Sequence, residues 1–256
     1  MLRTLLFFIT AVAFAQGPFD GTWRVDLQKV EFSQKPDKWE LVNGTYSCST
    51  CVPKINIKAD GTDQKVAGAR SYDTESVKVI DDRTVQFTEK KGGKITSESK
   101  ETVDTDGSRL TVQGTDYPEN GSQPVTLTLV GSRVEKGTAG SHAISGAWQV
   151  KSLNASDNAL TLTFKSTGDG LSMTSPTGSS FTAKFDGKDY PYKGAPTVDT
   201  ISLKRIDANT FEESEKRDGK VVNVTRFTVS ADGRSMNVVA ESKLQGRTTK
   251  FVVTKQ

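Results

Sequence analysis

One histidine and two cysteines are all the imidazole and thiol that this 256-residue chain holds. A zinc site built on the cysteines would need two more ligands, and a lone His does not supply them. Apolar runs of about 20 residues are missing, which excludes a polytopic membrane protein. Charge of one sign is missing too: 34 Lys and Arg face 31 Asp and Glu, for a net +3. The densest basic run, Lys90-Lys91 with Lys94, is broken by two glycines and reads as a hairpin turn. Phosphate recognition needs a clustered basic patch or stripe, so no nucleic-acid partner is expected. Nucleophile elbows, Walker loops and H-E-x-x-H helices are likewise absent from the sequence. What is present is 12 Phe, 5 Tyr and 3 Trp within a 34% apolar composition, enough core-formers to exclude a wholly disordered chain.

Residues 1–15, MLRTLLFFITAVAFA, carry Arg3, an apolar run and the small-x-small end Ala13-Phe14-Ala15. That pattern is expected to be a cleavable signal peptide, with an uncleaved anchor as the alternative. The mature chain is then exported, periplasmic or extracellular, with no stable membrane insertion. Cleavage removes Arg3 and leaves 33 basic residues against 31 acidic ones.

The chain is written twice. Residues 59–114 laid over 185–240 at a constant offset of 126 are identical at 21 of 56 positions. Among the pairs are Asp60/Asp186, Gly61/Gly187, Asp63/Asp189, Asp73/Asp199, Lys90/Lys216 and Gly107/Gly233. Two repeats follow, 16–134 and 146–256, joined by a linker at 135–145. Each reads as antiparallel β, because apolar residues alternate with Thr, Ser and Lys, as in Leu160–Phe164 and Phe181–Phe185. Asp-Gly pairs at 60, 106, 186, 218 and 232 supply turns between such runs. Lys29–Glu40 and Ser152–Asn158 have room for a helical turn or two. About eight short, regularly spaced strands per repeat point to a sandwich or a barrel.

Gly21-Thr22-Trp23 and Gly146-Ala147-Trp148 open the two repeats. In this the sequence resembles lipocalin-like proteins of the calycin group, whose first strand carries Gly-x-Trp. The resemblance implies an all-β fold of two tandem small antiparallel up-and-down β-barrels, one per repeat. It also implies that Trp23 and Trp148 plug the closed ends, each packed against a basic side chain of the last strand. Arg133 is the candidate partner in the first repeat, and Lys250 or Arg247 in the second. The whole chain resembles exported bacterial proteins of tandem lipocalin-like layout, which implies a compartment and a fold but no activity.

Cys48-Ser-Thr-Cys51 aligns with Thr174-Ser-Pro-Thr177, a turn in the second repeat. A local structural disulfide is therefore the leading reading, with a redox pair or half a metal site as alternatives. His142 lies in the linker and reads as solvated. Asp60/Asp63 and Asp186/Asp189 raise a calcium question, but two carboxylates fall short of the six or more oxygens it takes. They read as hairpin turns. Asp81-Asp82 and Glu212-Glu213 are adjacent on strands, so each pair faces opposite ways and cannot share a site. Tyr190 and Tyr192 sit near a turn and are candidates for a ligand rim, with packing as the alternative. Asn-x-Ser/Thr triplets at Asn43, Asn120, Asn154 and Asn223 do not identify the host.

The expected function is that of a non-enzymatic exported protein, without cofactor, binding a small apolar or amphipathic ligand in one or both barrels. The rival is a structural or interaction module of the cell envelope with filled barrels. Phe164, Leu171, Met173, Phe181, Phe185, Ile201, Leu203, Phe227, Met236 and Phe251 are the inward candidates of the second repeat. If all point inward they fill it, since an eight-stranded barrel is just wide enough for side chains or one small ligand.

Overall fold

The computed structural model describes residues 17–256, and the expected signal segment lies outside the described residues. Twenty strands and one helical turn follow in order. The first repeat contributes β1 (Gly21–Glu31), β2 (Asp37–Val42), β3 (Thr45–Cys48), β4 (Ile55–Lys58) and β5 (Gln64–Lys65). It continues with β6 (Thr74–Val79), β7 (Thr84–Lys91), β8 (Lys94–Val103), β9 (Arg109–Asp116) and β10 (Val125–Lys136). The second begins with β11 (Gly146–Ala155), α1 (Asp157–Leu160), β12 (Thr161–Thr167), β13 (Gly170–Thr174) and β14 (Ser180–Lys184). It ends with β15 (Tyr190–Pro191), β16 (Thr200–Arg205), β17 (Thr210–Arg217), β18 (Lys220–Val229), β19 (Ser235–Ser242) and β20 (Arg247–Lys255). The expected turns of helix reduce to α1, and Lys29–Glu40 is mostly strand.

These strands form two ten-stranded antiparallel sheets, each curled into a nearly closed barrel. The duplication persists to fine detail, since β7–β8 and β17–β18 carry the same register shift, after Glu89 and after Glu215. In the second barrel the seam is drawn together by Ser180 and Lys193, which exchange two backbone hydrogen bonds of 2.9 Å. Gly-rich turns set the hairpins. Asn43-Gly44 and Asp218-Gly219 have positive φ at both residues, the geometry of a tight two-residue loop. The other Asp-Gly pairs differ from expectation. Their aspartates turn the chain through a side-chain oxygen, as when Asp60 Oδ1 accepts from Thr62 N at 2.9 Å and Asp186 Oδ1 from Lys188 N at 3.0 Å.

One expectation is corrected. Repeats and barrels do not coincide, because the two repeats exchange their opening strands. β1 pairs with β12 and β20, and β11 pairs with β2 and β10. The first barrel is therefore β2–β10 closed by β11, and the second is β12–β20 closed by β1. The connections at 32–36 and 156–160 explain the crossing. Neither contains a residue of positive φ, and the first contains Pro36, so the chain runs on from one barrel into the other instead of doubling back.

Both tryptophans are buried under a cation, with partners that the exchange reassigns. Trp23 and Trp148 are fully buried, and each donates its indole N–H to the carbonyl four residues earlier, Phe19 and Ile144, at 2.8 Å. Arg133 lies over the Trp148 ring at 4.0 Å, not over Trp23. Lys255, rather than Lys250 or Arg247, lies over Trp23 at 5.3 Å. The register makes the two stacks equivalent, since Trp23/Lys255 and Trp148/Arg133 are direct cross-strand partners. Lys250 approaches Glu31 instead, and Arg247 grips Asp37. The motif glycines have a matching cause. Gly21 and Gly146 sit at φ of 130° and 127°, and a Cβ there would strike Lys255 Cε in one barrel and the Glu135 carbonyl in the other.

The barrels also bond to each other. Arg70 makes a two-pronged contact with Asp199 at 2.7 and 3.1 Å, and Arg247 another with Asp37 at 2.7 and 2.9 Å. Each spans from one barrel to the other.

Candidate binding site

All ten inward candidates of the second repeat lie in its barrel core or pack against it. Phe211 stacks on Phe227 at 4.7 Å and meets Phe19 edge-on at 4.8 Å, while Phe164 meets Phe227 at 5.6 Å. Phe19 arrives ahead of the exchanged β1, so the second barrel is filled partly by the first repeat. Tyr190 and Tyr192 belong to this packing. Tyr192 sits edge-on to Phe181 at 5.6 Å, and the Tyr190 hydroxyl donates to Asp186 Oδ2 at 3.1 Å.

The first barrel is built differently. Alternation on β6, β7 and β8 sets Glu75 with Val77, Glu89 with Phe87, and Glu101 with Val103 on the inward face. Glu75, Glu89, Ser97, Asp116 and Val125 are successive cross-strand partners, forming one row across β6 to β10. Direct partners share a face, so the row lines the rim from inside. Glu75 keeps only 6% exposure, and its Oε2 has no hydrogen-bond partner. Glu101 Oε2 and Trp39 Nε1 are buried and unpartnered as well. Tyr46 and Tyr72 complete the surroundings, with Tyr46 edge-on to Phe87 at 5.1 Å.

Burial dominates the electrostatics here. It pushes the Glu75 carboxyl up to about 7, helped by Glu89, and the Glu89 carboxyl to about 7, helped by Asp116. The Glu101 carboxyl rises to about 8, through burial first and then the charges of Glu75 and Asp37. Among the described residues none of the three glutamates forms an ion pair. Lys90 is engaged with Asp63 at 2.8 Å, Lys91 with Glu119 at 3.1 Å, and Arg70 and Arg247 hold the inter-barrel contacts.

The duplication supplies an internal control. At the offset of 126, Glu75, Glu101 and Tyr72 correspond to Ile201, Phe227 and Val198, all buried in the second core. The scaffold therefore accepts apolar residues at these positions. Glu89 corresponds to Glu215, but Glu215 accepts from Asn223 Nδ2 at 2.6 Å where the first barrel has Ser97.

A hollow of about 710 Å³ opens over the rim row. Glu89, Ser97, Asp116, Tyr117 and Val125 line it from the first barrel, and Thr177 and Gly194–Pro196 from the second. Two more hollows, of about 670 and 400 Å³, flank the 32–36 crossing.

The remaining sequence candidates are taken up structurally. Cys48 and Cys51 form a disulfide at the end of β3, where the second repeat turns at 175–179. His142, expected to be solvated, is tethered: Nε2 meets the Asp81 carbonyl at 2.7 Å and Nδ1 accepts from Ile144 N at 3.3 Å. Asp81-Asp82 lies in a turn rather than on a strand, whereas Glu212 and Glu213 do face opposite ways, one paired with Arg226 and the other buried. Sequence reasoning passed over Glu75, Glu89 and Glu101. Their signal was present: each alternates with an apolar neighbour, and two stand opposite Ile201 and Phe227 in the repeat. No protein-family model matches the chain, and no curated protein is significantly similar to it.

Proposed function

We propose that this is an exported, non-enzymatic, lipocalin-like binding protein whose first barrel takes a small amphipathic ligand through its rim. The hollow of about 710 Å³ above an incompletely satisfied polar interior carries this reading. Its volume falls in the range of small-molecule sites, which are concave, mostly apolar and furnished with a few converging polar groups. The Gly-x-Trp stacks of Trp23 with Lys255 and Trp148 with Arg133 support the lipocalin-like assignment. The disulfide supports export into an oxidising compartment. Among the described residues no helix is long and apolar enough to cross a membrane.

The second barrel favours the other reading for its own half. Its aromatic core leaves the structural or interaction role, so binding is assigned to one barrel only.

A lipid-and-metabolite thermal-shift screen on the full chain tests the proposal, repeated on Ser97→Trp, which fills the rim hollow. The expected result is at least one ligand class that raises Tm in the parent and not in Ser97→Trp. Equal shifts in both chains would place binding elsewhere and sink it.

A further inference from the structure

The unpaired carboxyls of the first barrel identify a ligand chemistry, given that this barrel is the binding one. We propose that the cross-strand pair Glu75 and Glu89 receives the ammonium head of an organic amine whose apolar body lies in the rim hollow against Tyr117 and Val125.

Three observations converge on it. Glu75, over nine-tenths buried, points an unpartnered oxygen into the barrel, as does Glu101. A buried acceptor without a partner carries a desolvation cost that a ligand N–H donor would remove. Second, no described Lys or Arg pairs with these glutamates, although basic side chains nearby pair with other acids. Third, the corresponding Ile201 and Phe227 show that the fold needs no carboxyl there.

The arrangement suits an organic cation. No three of the His, Cys, Asp and Glu side chains among the described residues gather as a metal-ion site. Aromatic faces accompany the acids, namely Trp39, Tyr46 and Tyr72, and such faces favour cations and apolar chains alike. Glu89 lines the hollow and is the direct cross-strand partner of Glu75, so head site and body site are continuous. The charged or titratable groups facing the nest are Asp37 on β2, Tyr46 on β3, Tyr72 before β6, and Asp116 on β9. Asp37 is already neutralised by Arg247. Binding of an ammonium therefore ionises carboxyls that burial keeps protonated, and it releases protons to the buffer.

The test is calorimetric titration of the full chain at pH 6.0 with three probes of one chain length, octylamine, octanol and octanoate. Octylamine is expected to bind at least tenfold tighter than the other two, releasing protons when two buffers of different ionisation heat are compared. Glu75→Gln and Glu89→Gln are each expected to weaken octylamine at least tenfold, with octanol unchanged. Glu89→Gln, at the rim, keeps the test decisive should the buried change perturb folding, and Glu212→Gln on the outer face of β17 is the silent control. Octanol or octanoate binding as tightly as octylamine, with no effect of Glu75→Gln, would overturn the amine assignment and leave the binding barrel standing. If none of the three binds, both proposals fall together.

Discussion

Trp23 and Trp148 show how far a single side chain can specify a place in this molecule. Each is buried, bonds to the carbonyl four residues back, and lies under a cation from the neighbouring strand. Replacing a buried Trp by Ala costs about 3–5 kcal/mol. Trp23→Ala is expected to lower Tm mainly through the second barrel, although it belongs to the first repeat. Hydrogen exchange resolved by residue checks this, with faster exchange on β12–β20 and little change on β6–β9. The glutamates yield a second residue-scale prediction. Their folded pKa values stand above the usual 4.5, so the unfolded chain loses protons first as pH rises. Stability from these groups is full below about pH 4.5 and declines until pH passes their folded values near 7 and 8. Glu75→Gln removes that loss. In thermal melts the variant should match the parent at pH 4.5 and exceed it by several degrees at pH 8.5, corresponding to roughly 2–3 kcal/mol. Equal melting offsets at both pH values would refute it.

At the scale of elements, β1 is covalently part of one repeat and structurally part of the other barrel. A chain begun at Asp37 keeps β2–β11 and lacks β1, so it should retain the first barrel and lose the second. Were the opening strands not exchanged, the damage would fall on the first barrel instead. Backbone amide spectra of the truncated chain distinguish the outcomes, with dispersed signals expected for β6–β10 and collapsed ones for β16–β20. Much at this scale was legible in the sequence. Alternation located the strands, the ten inward residues of the second repeat were readable from it, and the Cys48–Cys51 clip followed from its alignment with a turn. The exchange was not legible. Adjacent strands in a duplicated chain can pair within or between repeats with the same alternation, and only the missing turn chemistry at 32–36 and 156–160 hints at which. The interior glutamates were hidden for a related reason: alternation gives the face of a residue but not the depth or the partners it finds there.

At the scale of the whole molecule, exchange ties the two repeats together. Each borrows its closing strand from the other repeat, and Arg70–Asp199 and Arg247–Asp37 add bonds across the junction. A protease site inserted near Gly140, in the linker, tests this directly. After cleavage the two pieces should stay together in native electrophoresis and part only in denaturant, because β1 and β11 remain threaded into opposite barrels. Pieces that separate in native buffer would contradict the exchange.

The sequence by itself determined the all-β class, the duplication and which residues of the second repeat fill its core. These follow from local rules, namely alternation, turn residues and a constant offset, that hold wherever the strands finally pair. Tertiary structure alone decided which repeat supplies each closing strand, which cation covers each tryptophan, and that the first barrel buries oxygens of Glu75 and Glu101 without a partner. Those outcomes depend on register and burial, and both arise only when distant strands meet.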